Sequence, residues 1–234
     1  MIPSEHVYKD PKRAFLFMKQ TKPQDCFLFP GMEYLTKEGI DIVIFSNNEK
    51  LYSYKKLQPY KMTYEQTISF IEKYKLHAFC AHPYGIGFAS IIHAEGHDFY
   101  KKTVDKLGAV EVCNTSFENL RKLLSIWPFR VLFREKKERL DKIKELPKQD
   151  YPKKIKFLAV GSDAHQFKEV GTGALIKSKK GQIFRKIISN KSPQIVKKNR
   201  RFNLYFLMKE LLMVFEEFLI KHRLLKKIRG FAES

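Results

Sequence analysis

The sequence predicts an α/β protein, and three observations carry that expectation. Short, nearly continuous apolar runs recur along the chain, at 26–29 (CFLF), 40–45 (IDIVIF), 78–81 (AFCA), 109–113 (AVEVC) and 157–160 (FLAV). Segments of helical composition separate several of them. Two of the runs are also followed closely by histidine or aspartate, at His82 and at Asp163 and His165. Apolar runs this short read as strands buried on both faces, and their alternation with helices argues for a parallel sheet. Periodicity does not decide between an open sheet and a closed barrel.

Taken in order, the run at 26–29 is closed by Pro30 and Gly31, a turn signal, and 40–45 forms the next strand. The stretch 63–77 (TYEQTISFIEKYKLH) opens on Thr63, with Gln66 three residues later completing a capping box, and Ile68, Ile71 and Leu76 favour a helix. The strand at 78–81 stops at His82-Pro83, and a glycine-containing loop covers 84–97. A helix over 98–107 leads into the strand at 109–113. Helical composition returns at 117–127 and 134–145, before the strand at 157–160. A further strand at 174–176 follows the turn glycines Gly171 and Gly173.

From 201 to 229 the chain has no proline. It carries Leu204, Leu207, Leu211, Val214 and Phe218 near one face and ends at Gly230, a helix stop. A stripe that wide needs a partner: the parent domain, a second copy of the chain or an anionic membrane surface. The expected organisation is a domain over 1–190 with a basic amphipathic helical tail over 191–234.

Composition narrows the class. No run of about 18 uncharged apolar residues exists, so no transmembrane helix is expected. The opening MIPSEHVYKD lacks the basic and apolar regions of a secretory signal. The cysteines are odd in number, at 26, 80 and 113, with no C-x-x-C pair. They read as reduced, buried thiols in a cytoplasmic protein. The net charge is +20, and residues 177–234, with 16 Lys+Arg against 4 Asp+Glu, carry +12 of it. Such a region attracts polyanions: nucleic acid, anionic lipid or a phosphorylated substrate.

The strand ends hold the chemistry. Glu33 follows the first run and its turn, His82 ends the third, Glu111 and Asn114 lie in and after the fourth, and Asp163 and His165 follow the fifth. His6 sits near the start. Imidazole and carboxylate together suit Zn²⁺, Mn²⁺ or Fe²⁺.

FPGMEYLT (29–36), CAHPYG (80–85), AVEVCN (109–114) and AVGSDAH (159–165), in this order and at these distances, resemble the PHP (polymerase and histidinol phosphatase) family. The Gly-Ser-Asp-Ala-His motif is the most specific of them. PSEHVYKD (3–10) is similar to the family's Asp-His motif, with Glu5 in the aspartate's place. The resemblance covers roughly residues 3–188. It implies a distorted (β/α)7 TIM-like barrel that carries up to three divalent metal ions. It also implies hydrolysis of a phosphoester, in a small phosphorylated metabolite or a nucleic-acid end, by a metal-activated water. By position it makes Glu33 the bridging carboxylate and His6, His82, Asp163 and His165 terminal ligands, with Glu33, His82, Asp163 and His165 at the chemistry.

The family opens with a strand ending in His-x-His. This chain has no His-x-His, so the implied barrel is N-terminally incomplete and lacks two ligands. GIDIVIF (39–45) also lacks a histidine that the family often places there, and Asp41 is not equated with it. The alternative expectation is a weak or inactive PHP-like module that binds nucleic acid or another polyanion through its basic C-terminal region.

Overall fold

The structure is a computed structural model, and it describes residues 10–84, 90–114, 125–127, 129–132, 134, 138, 151–161 and 172–197. The chain divides into two compact units, Met1–Lys198 and Asn199–Ser234. The described residues all belong to the first. The helix expected over 201–229, with its membrane or oligomer contacts, lies outside them, as does most of those expected at 117–127 and 134–145.

Helix α1, Pro11–Thr21, starts where Asp10 accepts a hydrogen bond from the Arg13 amide, with Pro11 pre-set for the first turn. It buries Phe15 against the Tyr52 ring. Strands β1 (Gly31–Leu35), β2 (Asp41–Phe45) and β3 (His77–Cys80) then form one sheet in the order β1-β2-β3, antiparallel throughout. The turn between β1 and β2 is tight. The Thr36 hydroxyl accepts from the Ile40 amide at 3.1 Å, and Gly39 takes φ +86°, a backbone position that glycine fills without strain.

Helix α2, Tyr64–Lys73, carries the expected capping box: Thr63 accepts from the Gln66 amide, and Gln66 reaches back to the Thr63 amide. After α3 (Ile91–Glu95), helix α4 (His97–Leu107) ends at Gly108, which adopts the left-handed conformation at φ +70°. Strands β4 (Ala109–Asn114) and β5 (Phe157–Gly161) run parallel, and Gly108 O accepts from the Lys156 amide at the start of that pairing. A short helix, α5 (Phe129–Leu132), lies between them in sequence. Strands β6 (Thr172–Leu175) and β7 (Gln194–Lys197) pair antiparallel around α6 (Ile183–Ile187).

The expected (β/α)7 barrel is not what these strands build. Among the described residues there are three separate sheets, of three, two and two strands, and only β4–β5 is parallel. Between β1 and β2 the reason lies in the connection. A parallel neighbour requires a crossover of a dozen or more residues, whereas the turn at 36–40 permits only a hairpin. The run at 26–29 is not a strand either. Pairing begins at Gly31.

Alternation settles the core. Met32 and Tyr34 in β1, Ile42 and Ile44 in β2, and Ala78 and Cys80 in β3 all point to one face. There they meet Tyr64, Ile68 and Ile71 of α2 and Val104 and Leu107 of α4. Ile42 and Ile44 are fully buried, each contributing roughly 1.5–3 kcal/mol. Val43, Phe45 and Phe79 face the other way, on to Ala109, Phe157, Ala159 and Phe184. Cys80 and Cys113 are buried free thiols as expected, but Cys26 is exposed. Among the described residues no helix is long and apolar enough to cross a membrane.

Candidate metal centre

Glu33 is central in β1 and pairs with Val43, while Asp41 opens β2 and pairs with Leu35. Glu33 and Asp41 are therefore diagonal neighbours on one face, within reach of each other's side chains. That is the face opposite the main core. His82 arrives from β3: the Ala81 amide donates to Asp41 O at 3.2 Å, which keeps the end of β3 beside the start of β2. His82 Nε2 then lies 3.3 Å from Glu33 Oε1 and 3.5 Å from Asp41 Oδ2. One ligand atom from each of the three residues lies within 4.8 Å of the other two. The Asp41 side chain is 3% exposed, against 19% for Glu33 and 17% for His82. Solvent and ligands thus reach the centre from the Glu33–His82 side.

Two carboxylates this close repel. At 4.8 Å or less, and an effective dielectric of about 20, the repulsion is about 3 kcal/mol or more. A cation among them offsets it, either a protonated imidazole or a divalent ion. Two donors that each lie about 2.1 Å from one ion at a tetrahedral angle stand about 3.4 Å apart. The contacts at 3.3 and 3.5 Å bracket that separation. One imidazole nitrogen and two carboxylate oxygens also form a donor set that Zn²⁺, Mn²⁺ and Fe²⁺ accept. The residues present fit a divalent ion.

The backbone around His82 is unusual. Its φ is +31°, in the left-handed region that a non-glycine residue seldom occupies, and Pro83 follows. Such a conformation costs on the order of 1–3 kcal/mol. The His82 amide donates to Glu111 Oε2 at 2.7 Å, and the Asn114 side-chain amide donates to the same carboxylate at 3.4 Å and beyond. Burial pushes the Cys80 thiol up, and the Glu111 charge adds to the shift.

Of the residues expected at the site, Glu33 and His82 come together. His6, Asp163 and His165 lie outside the described residues. β5 ends at Gly161, immediately before the Ser-Asp-Ala-His segment. Asp41 is the member that sequence reasoning passed over. Its signal was an acidic residue at the head of an apolar run, but only the β1–β2 register shows that it shares a face with Glu33.

No protein-family model, no curated protein and no solved structure matches this chain.

Proposed function

We propose that this chain is a metal-dependent phosphoesterase whose centre is held by Glu33, Asp41 and His82. The observation that carries the proposal is the convergence of two carboxylates and an imidazole, from the middle of β1, the start of β2 and just past the end of β3, with ligand atoms at most 4.8 Å apart. The chemistry that a divalent ion supplies at such a place is Lewis acidity, toward a phosphoester oxygen and toward water. Asp41, buried, gives a fixed anionic donor. Glu33 and His82, partly open, hold the side from which a substrate approaches. The charge of +20 favours the arrival of an anionic substrate, and the resemblance of the motifs at 29–36, 80–85, 109–114 and 159–165 to the PHP family supports phosphoester as its class.

The test is phosphate release from an aryl phosphate by the full chain with added Mn²⁺, Zn²⁺ or Fe²⁺. Turnover should need metal and should disappear in Asp41→Ala and His82→Ala. The reading fails if the metal-supplemented wild type releases no phosphate from a broad panel of phosphomonoesters and diesters.

A second reading rests on a different observation. Between 177 and 197 no acidic residue occurs, while Lys177, Lys179, Lys180, Arg185, Lys186 and Lys191 are exposed. A surface of this kind binds nucleic acid through phosphate contacts. Affinity for a random duplex should then fall steeply between 50 and 200 mM salt, the concentrations over which about 10³–10⁵ is lost for six to ten contacts.

A further inference from the structure

We infer that Glu111 is a positioning residue for this centre: its carboxylate holds the turn that swings the His82 imidazole on to Glu33 and Asp41. The inference rests on the metal-centre reading above. Along β3, Ala78 and Cys80 point into the main core, so regular alternation would send residue 82 to that same apolar face. The imidazole stands instead with Glu33 and Asp41 on the opposite face. The alternation breaks at His82 itself, where φ is +31°.

That turn needs a restraint, since the residue before a proline favours extended backbone. Glu111 supplies it from a neighbouring strand, β4, by accepting the His82 amide at 2.7 Å. A hydrogen bond to an ionised acceptor is about twice as strong as a neutral one. The Glu111 side chain is buried, so the bond is shielded from competing water. Beyond His82, the Ser90 hydroxyl donates to Pro83 O and pins the other side of the turn. Glu111 thus acts on the centre through the backbone of His82.

The experiment uses the full chain, titrated with Mn²⁺ alone and read by the spin-resonance signal of the free ion. Glu111→Ala should weaken Mn²⁺ binding about 10- to 100-fold, the usual loss when the support of a ligand is removed. Glu111→Gln keeps a side-chain oxygen in place to accept the amide and should stay within about threefold of wild type. Ile44→Ala, which loosens the core without touching the centre, should leave the affinity of the folded chain unchanged, separating positioning from general stability. In parallel, the His82 amide should be protected from hydrogen exchange in the metal-free wild type and lose that protection in Glu111→Ala.

Wild-type affinity in Glu111→Ala would overturn the inference. So would a Glu111→Gln variant as weak as the alanine, or an unprotected His82 amide in wild type. If wild type takes up no Mn²⁺, the metal reading fails on its own, and the exchange measurement still decides whether Glu111 holds the turn.

Discussion

The two faces of the β1–β2–β3 sheet come from the same three strands and differ in almost everything else. One face is Met32, Tyr34, Ile42, Ile44, Ala78 and Cys80, all apolar and all buried. The other changes character along its length. At one end Val43, Phe45 and Phe79 form a small aromatic core with Phe157 and Phe184. Beside Val43, Glu33 joins Asp41 at the far end, and both meet His82. Solvent does not explain the second set, because Asp41 is as buried as the isoleucines beside it. The first face is there to fold, and the charged end of the second costs folding energy that a cation held there would offset.

Substitutions on each face test that division. The largest expected effect is on the apolar face. Ile44→Ala should lower the unfolding free energy by about 2–5 kcal/mol in a urea titration. If it weakens Mn²⁺ binding as strongly as it weakens folding, the two faces are not separable. Asp41→Asn is the converse. It removes one of two close negative charges, so stability should hold within about 1 kcal/mol or rise, while Mn²⁺ affinity should drop at least about tenfold, or about 1.4 kcal/mol. A large loss of stability would make Asp41 a structural residue.

The smallest effect concerns His77, at the aromatic end, between Phe45 and Phe184. Burial, and then the Lys156 charge, hold its pKa below the ordinary histidine value. The folded state therefore resists the proton that the unfolded chain accepts. Stability is full above about pH 6.5 and falls as pH drops below it, toward the folded-state value. His77→Phe should flatten that acid-side decline in thermal melts taken from pH 8 to 5. An unchanged difference between wild type and variant across that range would show that His77 does not titrate as its surroundings require.

Much of this arrangement was legible in the sequence because it depended on neighbours in the chain. Thr63 and Gln66 announced α2, and the apolar runs at 40–45, 78–81, 109–113 and 157–160 located β2 to β5 within a residue or two. His82 is legible as a candidate because it stands just past a strand end, whereas Glu33 is a candidate because it follows the run at 26–29, although it lies in the middle of β1. What failed was pairing, which depends on residues far apart. A strand-rich pattern with intervening helices reads as parallel, although the hairpin at 36–40 makes β1 and β2 antiparallel, and β3 joins them antiparallel after α2. Asp41 was missed for the same reason: its partners are Leu35 across the hairpin and His82 across β3, and neither proximity appears in the spacing. Glu111 was visible as an acid inside a strand, but its bond goes to a backbone amide 29 residues earlier, which no side-chain motif encodes.

The hairpin turn has a consequence beyond topology. Strand side chains alternate with a period of two, so a slip of one residue between β1 and β2 would exchange the faces of a whole strand. One residue added between Thr36 and Ile40 could seat Asp41 and Val43 toward the interior and turn Ile42 and Ile44 outward. The same slip would separate Asp41 from Glu33. Thr36 and Gly39, which shape that turn, thus tie the closeness of Glu33 and Asp41 to the survival of the interior, and a lineage that kept this protein folded would carry that geometry along with it.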